Sequence, residues 1–248
     1  MNLSSKTAII IGASGGIGRE VSLALAKKQT NLILVARKME SLDILEKNLK
    51  SYKVGLDKYA CDLTNPKSIT NVEKEIRSKH EKVDFLFHLA GIGVYKRLPD
   101  ISCEEWKDSI DINVNSVFYI TQKLLPLLEK SEKAYVIASG SGMGKVALSG
   151  RAAYCASKFA LRGLILSLSK EYENSNVHFV HLTLGSVLTA FGPLSLEEKK
   201  QKVKKDKQYI DPEWLAHHIV TRLENETLEP ETSIYPRHYF EESKKDVR

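Results

Sequence analysis

Residues 7–28 of the chain read TAIIIGASGGIGREVSLALAKK and decide the fold. The run Thr7–Ile11 is apolar and β-branched, which predicts a buried strand. The apolar spacing of Arg19–Lys28 predicts an amphipathic helix, and the turn Gly12–Gly18 between them has the glycine spacing Gly-x-x-x-Gly-x-Gly. A strand, a glycine turn and a helix N-terminus in this order form the first half of a βαβ unit.

The glycine turn has the properties of a phosphate-binding site. Glycines permit positive φ and let the backbone approach an anion, while the first N–H groups of a helix and its dipole favour negative charge. A tight turn without a ligand also uses glycine. The strand before it and the helix after it favour a dinucleotide-binding turn. The first candidate cofactor-binding residues are therefore Gly12, Ser14, Gly15, Gly16, Ile17 and Gly18.

The same alternation of short apolar runs and longer amphipathic segments continues along the chain. It is the pattern of βαβ units and of a parallel sheet. Several runs are apolar throughout, as expected for strands that helices cover on both faces. The predicted strands are Lys6–Ile11, Asn31–Ala36, Val54–Ala60, Val83–Leu89, Ala134–Ser139 and Val177–Thr183, with a weaker seventh at Thr232–Pro236.

The predicted helices fill the segments between these strands. Right-handed crossovers place helices on both faces of one open sheet, which predicts an α/β fold. No linker or repeat divides residues 1–248, so we expect a single domain, with the irregular stretch at 185–210 as a candidate substrate lid. The predicted helices span 16–28, 38–50, 66–80, 102–129, 153–173 and 211–224.

The composition is that of an ordinary globular protein. Of the 248 residues, 42% are hydrophobic and 27% charged, which argues against disorder and collagen-like repeats. No apolar run of about 18 residues occurs, and the first strand begins shortly after Met1, so we expect no membrane span, no signal peptide and a cytoplasmic location. Cys61, Cys103 and Cys155 have neither disulfide nor zinc spacing and are expected to be idle or buried thiols.

The net charge of +6 is unevenly distributed, because six lysines lie within Lys199–Lys207. Basic residues are not interleaved with aromatic ones and no nucleic-acid-reading motif is present, so we expect no nucleic-acid partner. The patch is either a solvated helix face, which we favour, or a surface for an anionic partner.

Arg37 follows the second predicted strand, where dinucleotide-binding proteins contact the adenosine ribose. A carboxylate at this strand end favours NAD, whereas a cation accommodates the 2′-phosphate of NADP. Ala36 and Arg37 stand here in place of a carboxylate, so we predict NADP(H), with Arg37 binding the phosphate. The alternative is that Arg37 only opens a solvated helix.

A second candidate site is the spacing Tyr154-Cys155-Ala156-Ser157-Lys158. Tyr154 and Lys158 lie four residues apart on a predicted helix, so they share a face and the ammonium lowers the pKa of the phenol. The pair alone occurs often by chance, but Ser141 lies thirteen residues upstream, just beyond a predicted strand. Its hydroxyl is placed to bind a substrate oxygen, and the three residues together predict an acid–base site.

The glycine spacing, Ser141, Tyr154 and Lys158 together resemble the short-chain dehydrogenase/reductase family over nearly the whole chain. The resemblance implies a Rossmann-type, doubly wound, seven-stranded parallel sheet with helices on both faces. It implies a catalytic tetrad of Ser141, Tyr154, Lys158 and Asn113, with Asn115 as the less favoured alternative to Asn113. It also places the cofactor against Asp62, Leu63, Ala90, Gly91, Gly185, Val187 and Thr189, besides Tyr154 and Lys158.

Four residues depart from the family pattern without touching the tetrad. Ile11 and Leu184 replace a threonine and a proline, which are changes of packing. His88 and Leu89 replace two asparagines whose amides tie strands together, and only His88 can replace one of those amides. We expect His88 to be a satisfied core residue rather than a proton carrier.

The resemblance implies an NADPH-dependent oxidoreductase that reduces a small-molecule carbonyl of the ketone or 3-oxoacyl type to an alcohol, with Tyr154 as general acid. A non-enzymatic NADP-binding sensor and an NAD-dependent alcohol dehydrogenase remain alternatives. The resemblance also implies a homodimer or homotetramer. The predicted substrate walls are mainly apolar and comprise Ile92, Val94, Tyr95, Met143, Lys145, Val146, Leu148, Val187, Phe191 and Leu194.

Overall fold

The computed structural model describes residues 1–205 and 207–243, and in them seven parallel strands form one sheet. The strands are β1 (Thr7–Ile11), β2 (Asn31–Ala36), β3 (Leu56–Ala60), β4 (Phe85–His88), β5 (Ala134–Ser139), β6 (Val177–Leu184) and β7 (Glu231–Ile234). Their order across the sheet is β3-β2-β1-β4-β5-β6-β7, and every pairing is parallel. The predicted doubly wound α/β class is confirmed.

Nine α-helices lie in the same described part of the chain. They are α1 (Gly16–Lys27), α2 (Met39–Leu49), α3 (Pro66–Lys79), α4 (Cys103–Ile110), α5 (Ser116–Leu128), α6 (Ala152–Glu171), α7 (Leu196–Val203), α8 (Pro212–Glu224) and α9 (Pro236–Ser243). The helices lie in two layers. Ile10 of β1 packs in one core with residues of α1, α2 and α8, and Ile9 packs in the other with residues of α3, α5 and α6. Because successive strand residues face opposite sides, both cores require an uninterrupted apolar run.

Helix α7 corrects the prediction of an irregular stretch over 185–210. A capping box starts it: the Ser195 hydroxyl accepts from the Glu198 N–H at 3.2 Å, and the Glu198 carboxylate accepts from the Ser195 N–H at 2.8 Å. The helix is mostly charged, so it lacks the apolar periodicity on which the prediction relied. Helix α9 was also not predicted.

A π-helical turn over Asp111–Asn115 separates α4 from α5. The sequence predicts one continuous helix over 102–129, which is wrong at its centre. Apolar periodicity continues on both sides of the turn, and one wider turn leaves no signal in that periodicity. The turn contains Asn113, one of the predicted tetrad residues.

Strand bounds differ from the predicted ones by at most two residues. β4 covers Phe85–His88 rather than Val83–Leu89, although the Leu89 N–H still donates to the Ile11 carbonyl at 2.9 Å. Apolar residues on either side of a strand thus make the predicted strand longer than the segment assigned as regular strand.

The sheet reverses its strand order at β1, which lies between β2 and β4. A crevice opens at the carboxyl ends of the strands at such a point. Gly12 follows β1 with φ +88°, and a Cβ atom there would lie 2.5 Å from the Ala90 nitrogen beyond β4. Gly18, in the first turn of α1, packs as closely, since its Cβ atom would lie 2.2 Å from the Gly12 carbonyl oxygen. The glycines therefore fix how α1 enters the crevice.

His88 at the end of β4 is buried, and only one of its two ring nitrogens has a hydrogen-bond partner. Its Nε2 lies 2.9 Å from Thr121 Oγ1 on α5, while Nδ1 has no hydrogen-bond partner. The imidazole thus ties β4 to a helix, where the family asparagine would tie strands together. Burial lowers the pKa of His88 to about 3, so the ring is neutral at physiological pH.

We predict that His88→Asn weakens the acid sensitivity of the fold. The pKa of His88 is about 3 in the folded chain and about 6.5 unfolded, so its contribution to stability is lost as pH falls between these values. The free energy of unfolding of the wild type should fall by about 1.4 kcal/mol per pH unit more than that of the variant. Urea unfolding from pH 6.5 to pH 4 measures this, with exposed His217→Asn as control. Equal slopes for wild type and His88→Asn would contradict the prediction.

We predict that Gly18→Ala destabilises the cofactor-free protein by about 1–3 kcal/mol, as overpacking does elsewhere. The reason is the contact of the new methyl with the Gly12 carbonyl, which is backbone and cannot rotate away. Gly15→Ala is the matched control, because its Cβ atom would lie 3.3 Å from the same oxygen at a φ of −74°. Urea unfolding compares the two, and a Gly15→Ala loss as large as that of Gly18→Ala would defeat the packing argument.

Candidate active site

One cleft of about 1080 Å³ opens at the carboxyl ends of the central strands. Gly18 and Asn113 lie behind its wall rather than in its lining. All other predicted site residues line it: Gly12, Ser14, Gly15, Gly16, Ile17, Arg37, Asp62, Leu63, Ala90, Gly91, Ser141, Tyr154, Lys158, Gly185, Val187 and Thr189.

The N-terminus of α1 faces the cleft without a side-chain cap. Gly15 is its N-cap residue, and the first turn holds no acidic side chain. The first N–H groups of the helix are therefore available to an anion, and the helix dipole favours one. Thr189 packs directly on Gly16, where a Cβ atom would lie 2.5 Å from the threonine Cγ2. These features fit a bound phosphate group.

At the β2 end of the cleft, Arg37 is exposed, and no carboxylate lies within 4.0 Å of it in the described chain. Asp62, which follows β3, accepts hydrogen bonds from the Thr64 hydroxyl at 2.7 Å and the Thr64 N–H at 2.9 Å. These bonds, with a smaller effect of Arg37, hold the pKa of Asp62 below its usual range. Asp62 is thus held by its own turn, and the guanidinium of Arg37 is left for a ligand.

Tyr154 lies in the first turns of α6 with its ring buried in the cleft. Its ring centroid lies 5.4 Å from that of Tyr95 and 5.9 Å from that of Phe191. The pKa of Tyr154 is raised, contrary to the lowering predicted from Lys158, because burial disfavours the phenolate; the contacts with the Ser141 and Tyr95 hydroxyls only partly offset this rise. The predicted pair of Ser141 and Tyr154 is therefore brought together.

Lys158 lies one turn further along α6 and is buried. Its ammonium donates to the Ser139 carbonyl at 2.9 Å and lies 5.7 Å from the Tyr154 ring centroid. Burial lowers its pKa to about 8. The ammonium is thus cationic at neutral pH and close to the phenol.

Asn113 is held by three hydrogen bonds in the wider turn between α4 and α5. Its side chain accepts from the Ile92 N–H and donates to the Ile92 carbonyl and to the Ser157 hydroxyl, each at 2.9 Å. A Cβ atom on Gly91 would lie 3.1 Å from Asn113 Oδ1 and 3.6 Å from Lys158 Nζ. The amide oxygen and the ammonium therefore face the same side of Gly91. Asn115 instead donates to Asp111. The geometry favours Asn113 over Asn115.

Two of the residues predicted to form the substrate walls, Val94 and Lys145, do not line the cleft. Val94 is buried elsewhere, and Lys145 bonds Glu231 of β7 at 2.9 Å. Glu231 also accepts two hydrogen bonds from Arg162, and these, with that of Lys145, lower its pKa to about 2. Lys145 therefore anchors the loop between β5 and α6.

Among the residues that the sequence analysis did not name as site residues, Arg151, Lys199 and Tyr209 also line the cleft. Lys199 was expected on a solvated helix face, but its side chain is only 6% exposed, because its ammonium donates to the carbonyls of Thr189 and Phe191. No spacing along α7 signals this, since the lid backbone creates the contact.

The described residues hold no group of His, Cys, Asp and Glu suited to a metal ion, and the three cysteines are free. In the same ranges, none of the helices has the length and apolar character needed to span a membrane.

The chain is similar to several known proteins over most of its length. The family model described as short chain dehydrogenase matches residues 6–200. The NADP-dependent 3-hydroxy acid dehydrogenase of Schizosaccharomyces pombe is 29% identical over 245 residues, which cover 95% of this chain and 94% of that protein. The 3-oxoacyl-acyl-carrier-protein reductase of Escherichia coli is 32% identical over 177 residues, 71% of each chain.

Solved structures agree with these sequence matches. The alcohol dehydrogenase of the archaeon Thermococcus sibiricus, solved with 5-hydroxy-NADP, superposes with a TM-score of 0.80 at 25% identity and covers 94% of this chain and 96% of that one. The glycine turn, the seven-stranded sheet and the matched residues lead to one assignment. The chain belongs to the short-chain dehydrogenase/reductase family.

Proposed function

We propose that this protein is an NADPH-dependent oxidoreductase that reduces a small-molecule carbonyl to an alcohol. The observation that carries the proposal is the meeting of Ser141, Tyr154 and Lys158 in a cleft that also contains an uncapped helix N-terminus. The first group is suited to proton transfer to an oxygen, and the second to a dinucleotide phosphate.

NADP(H) is the proposed cofactor because the cation of Arg37 and the uncapped N–H groups of α1 line the end of the cleft near β1 and β2. The N-terminus of α1 would hold the diphosphate, and Arg37 the 2′-phosphate. The similarity to an NADP-dependent dehydrogenase and to an enzyme solved with 5-hydroxy-NADP supports this choice. The nicotinamide, when bound, supplies the hydride. Val187 and Thr189 are proposed to hold its amide, and Asp62 the adenine.

Tyr154 is the proposed general acid. Its buried phenol remains protonated at neutral pH, as an acid for the alkoxide oxygen must be. The hydroxyl of Ser141 binds the same oxygen and keeps it within reach of the phenol. The Lys158 ammonium stabilises the phenolate that remains after proton transfer, because a cation nearby favours the charged form. Asn113 holds the Gly91–Ile92 backbone beside Lys158 and is proposed to support proton return to the phenol.

A homodimer or homotetramer is also proposed. Helices α5 and α6 expose aromatic side chains on their surfaces, including Phe118, Tyr119 and Phe159. Such side chains are enriched at interfaces between copies of a chain. The cytoplasmic location and the single domain remain predictions.

We predict that Tyr154→Phe lowers the turnover number for carbonyl reduction by about 10²–10⁴-fold, the usual contribution of a general acid. The affinity for NADPH should change little, because the ring and its packing are kept. Steady-state kinetics and NADPH titration measure the two effects, and Tyr52→Phe, at a half-buried tyrosine outside the cleft, serves as control. Turnover of Tyr154→Phe within a few-fold of the wild type would remove Tyr154 from the proposed role.

We predict that Arg37→Ala weakens NADPH binding tenfold or more, which corresponds to about 1.4 kcal/mol. NADH binding should be nearly unchanged, since NADH has no 2′-phosphate for the guanidinium to bind. Calorimetric titration with both cofactors tests this, with Lys47→Ala, exposed on α2 and outside the cleft, as control. An equal loss for NADPH and NADH would reject the 2′-phosphate assignment, and a wild type that binds neither would reject the proposed cofactor.

A further inference from the structure

The cleft has a cationic side that the proposed proton transfer does not use. Lys199 of α7 is 6% exposed, and its ammonium donates to the Thr189 carbonyl at 2.7 Å and to the Phe191 carbonyl. Across the described ranges, no carboxylate lies within 4.0 Å of this ammonium. An ammonium has three N–H donors, so these two acceptors leave one of them for another group.

Gly192 leaves an open space beside this ammonium. Its φ of +106° is one that other residues rarely adopt, and a Cβ atom there would lie 3.8 Å from Lys199 Nζ and 3.9 Å from Tyr95 Oη. The ammonium and the phenol hydroxyl thus border the same space, which a side chain on residue 192 would fill. Both residues and Gly192 line the cleft.

The position of Tyr95 is fixed. Its ring folds back over Gly93, where a Cβ atom would lie 2.4 Å from the ring, and the Arg151 guanidinium lies 4.5 Å from its centroid on the cleft wall. Within the described residues, Arg151 has no carboxylate within 4.0 Å. Two cations therefore lie near Tyr95, Lys199 across the space from its hydroxyl and Arg151 over its ring. Among the residues that the structure describes, the acidic side chains that line the cleft are Asp62, held by Thr64, and Asp108.

The space lies close to the proposed general acid. The ring of Tyr95 packs on that of Tyr154 with centroids 5.4 Å apart, and Phe191, whose carbonyl binds Lys199, packs on Tyr154 at 5.9 Å. The hydroxyl of Tyr95 also contacts that of Tyr154. Because the space and the phenol of Tyr154 are neighbours, an acid that reaches both has its carbonyl only a few bonds from its carboxylate.

We propose that Lys199 binds the carboxylate of the substrate in the space beside Tyr95, so that the carbonyl compound reduced at Tyr154 is a short-chain oxo acid. The inference rests on the proposed function. The carboxylate accepts the remaining N–H of the Lys199 ammonium, and a charge-assisted hydrogen bond of this kind is strong in a buried site. Arg151 adds positive potential behind the Tyr95 ring.

Matched substrates test the proposal: acetoacetate against methyl acetoacetate, and pyruvate against methyl pyruvate. Each ester keeps the reacting carbonyl and removes the negative charge. For the wild type with NADPH, we expect kcat/KM to be at least tenfold higher for the acid than for its ester in one pair. Preference for the ester in both pairs would overturn the proposal.

Lys199→Met distinguishes binding of the substrate carboxylate from a purely structural role of Lys199 in the lid. We expect a loss of tenfold or more in kcat/KM for the acid and a change within about twofold for the ester and for the affinity of NADPH. Equal losses for acid and ester would mean that Lys199 only holds the Thr189 and Phe191 carbonyls, and a loss of NADPH affinity would mean that it serves the cofactor. Either result overturns the proposal. Lys200→Met is the control, because Lys200 is exposed on the same helix and pairs with Glu197 at 3.1 Å.

If Lys199→Met does not fold, Lys199→Gln keeps a donor for the Thr189 and Phe191 carbonyls and removes the charge, with a loss that is again confined to the acid. Binding without turnover is read from the fluorescence of bound NADPH on addition of 3-hydroxybutyrate, which NADPH cannot reduce. Lys199-dependent binding in a protein that reduces no carbonyl would keep this site and reject the proposed function. Reduction of neutral ketones without selectivity for acids would keep the function and reject the site.

Discussion

The close approach of Gly12 to Ala90 is the constraint on which the rest of the site depends. The backbone turns out of β1 at φ +88° and passes the start of the loop after β4 with no room for a Cβ atom. Gly18 then sets the first turn of α1 against the Gly12 carbonyl. With a side chain at either position, α1 would begin further from the sheet, and its N–H groups would no longer point into the crevice between β1 and β4.

Hydrogen bonds and ion pairs fix the positions of the groups proposed for proton transfer. Lys158 is a buried cation bonded to the Ser139 carbonyl, and its pKa of about 8 reflects the cost of removing charge from water. The loop that carries Ser141 is anchored through Lys145 to Glu231, which Arg162 of α6 also binds. Because α6 carries both Tyr154 and Arg162, one ionic network fixes the helix and the loop relative to each other. Pre-organisation of this kind keeps donors at the oxygen they serve.

The parts of the molecule that local periodicity describes could be predicted from the sequence. The run Thr7–Ile11 with its glycine turn indicates the sheet and the crevice, and the four-residue spacing of Tyr154 and Lys158 on one helix face brings them together. The π-helical turn at Asp111–Asn115 could not be predicted, because it inserts one residue into an otherwise helical pattern. Nor could the burial of Lys199, which depends on carbonyl groups of a lid that has no periodic pattern.

Thr189 connects the two ends of the cleft. Its methyl group packs on Gly16 at the glycine turn, and its carbonyl accepts from Lys199 at 2.7 Å. A residue that covers the phosphate turn therefore also sets the position of the cationic side. The two ends of the lid are bonded to each other close by: Leu188 N–H donates to the Ile210 carbonyl at 2.9 Å, and Ile210 N–H to the Ser186 carbonyl at 2.8 Å. The same short segment thus positions the group at each end of the cleft, and the two ends cannot be positioned independently.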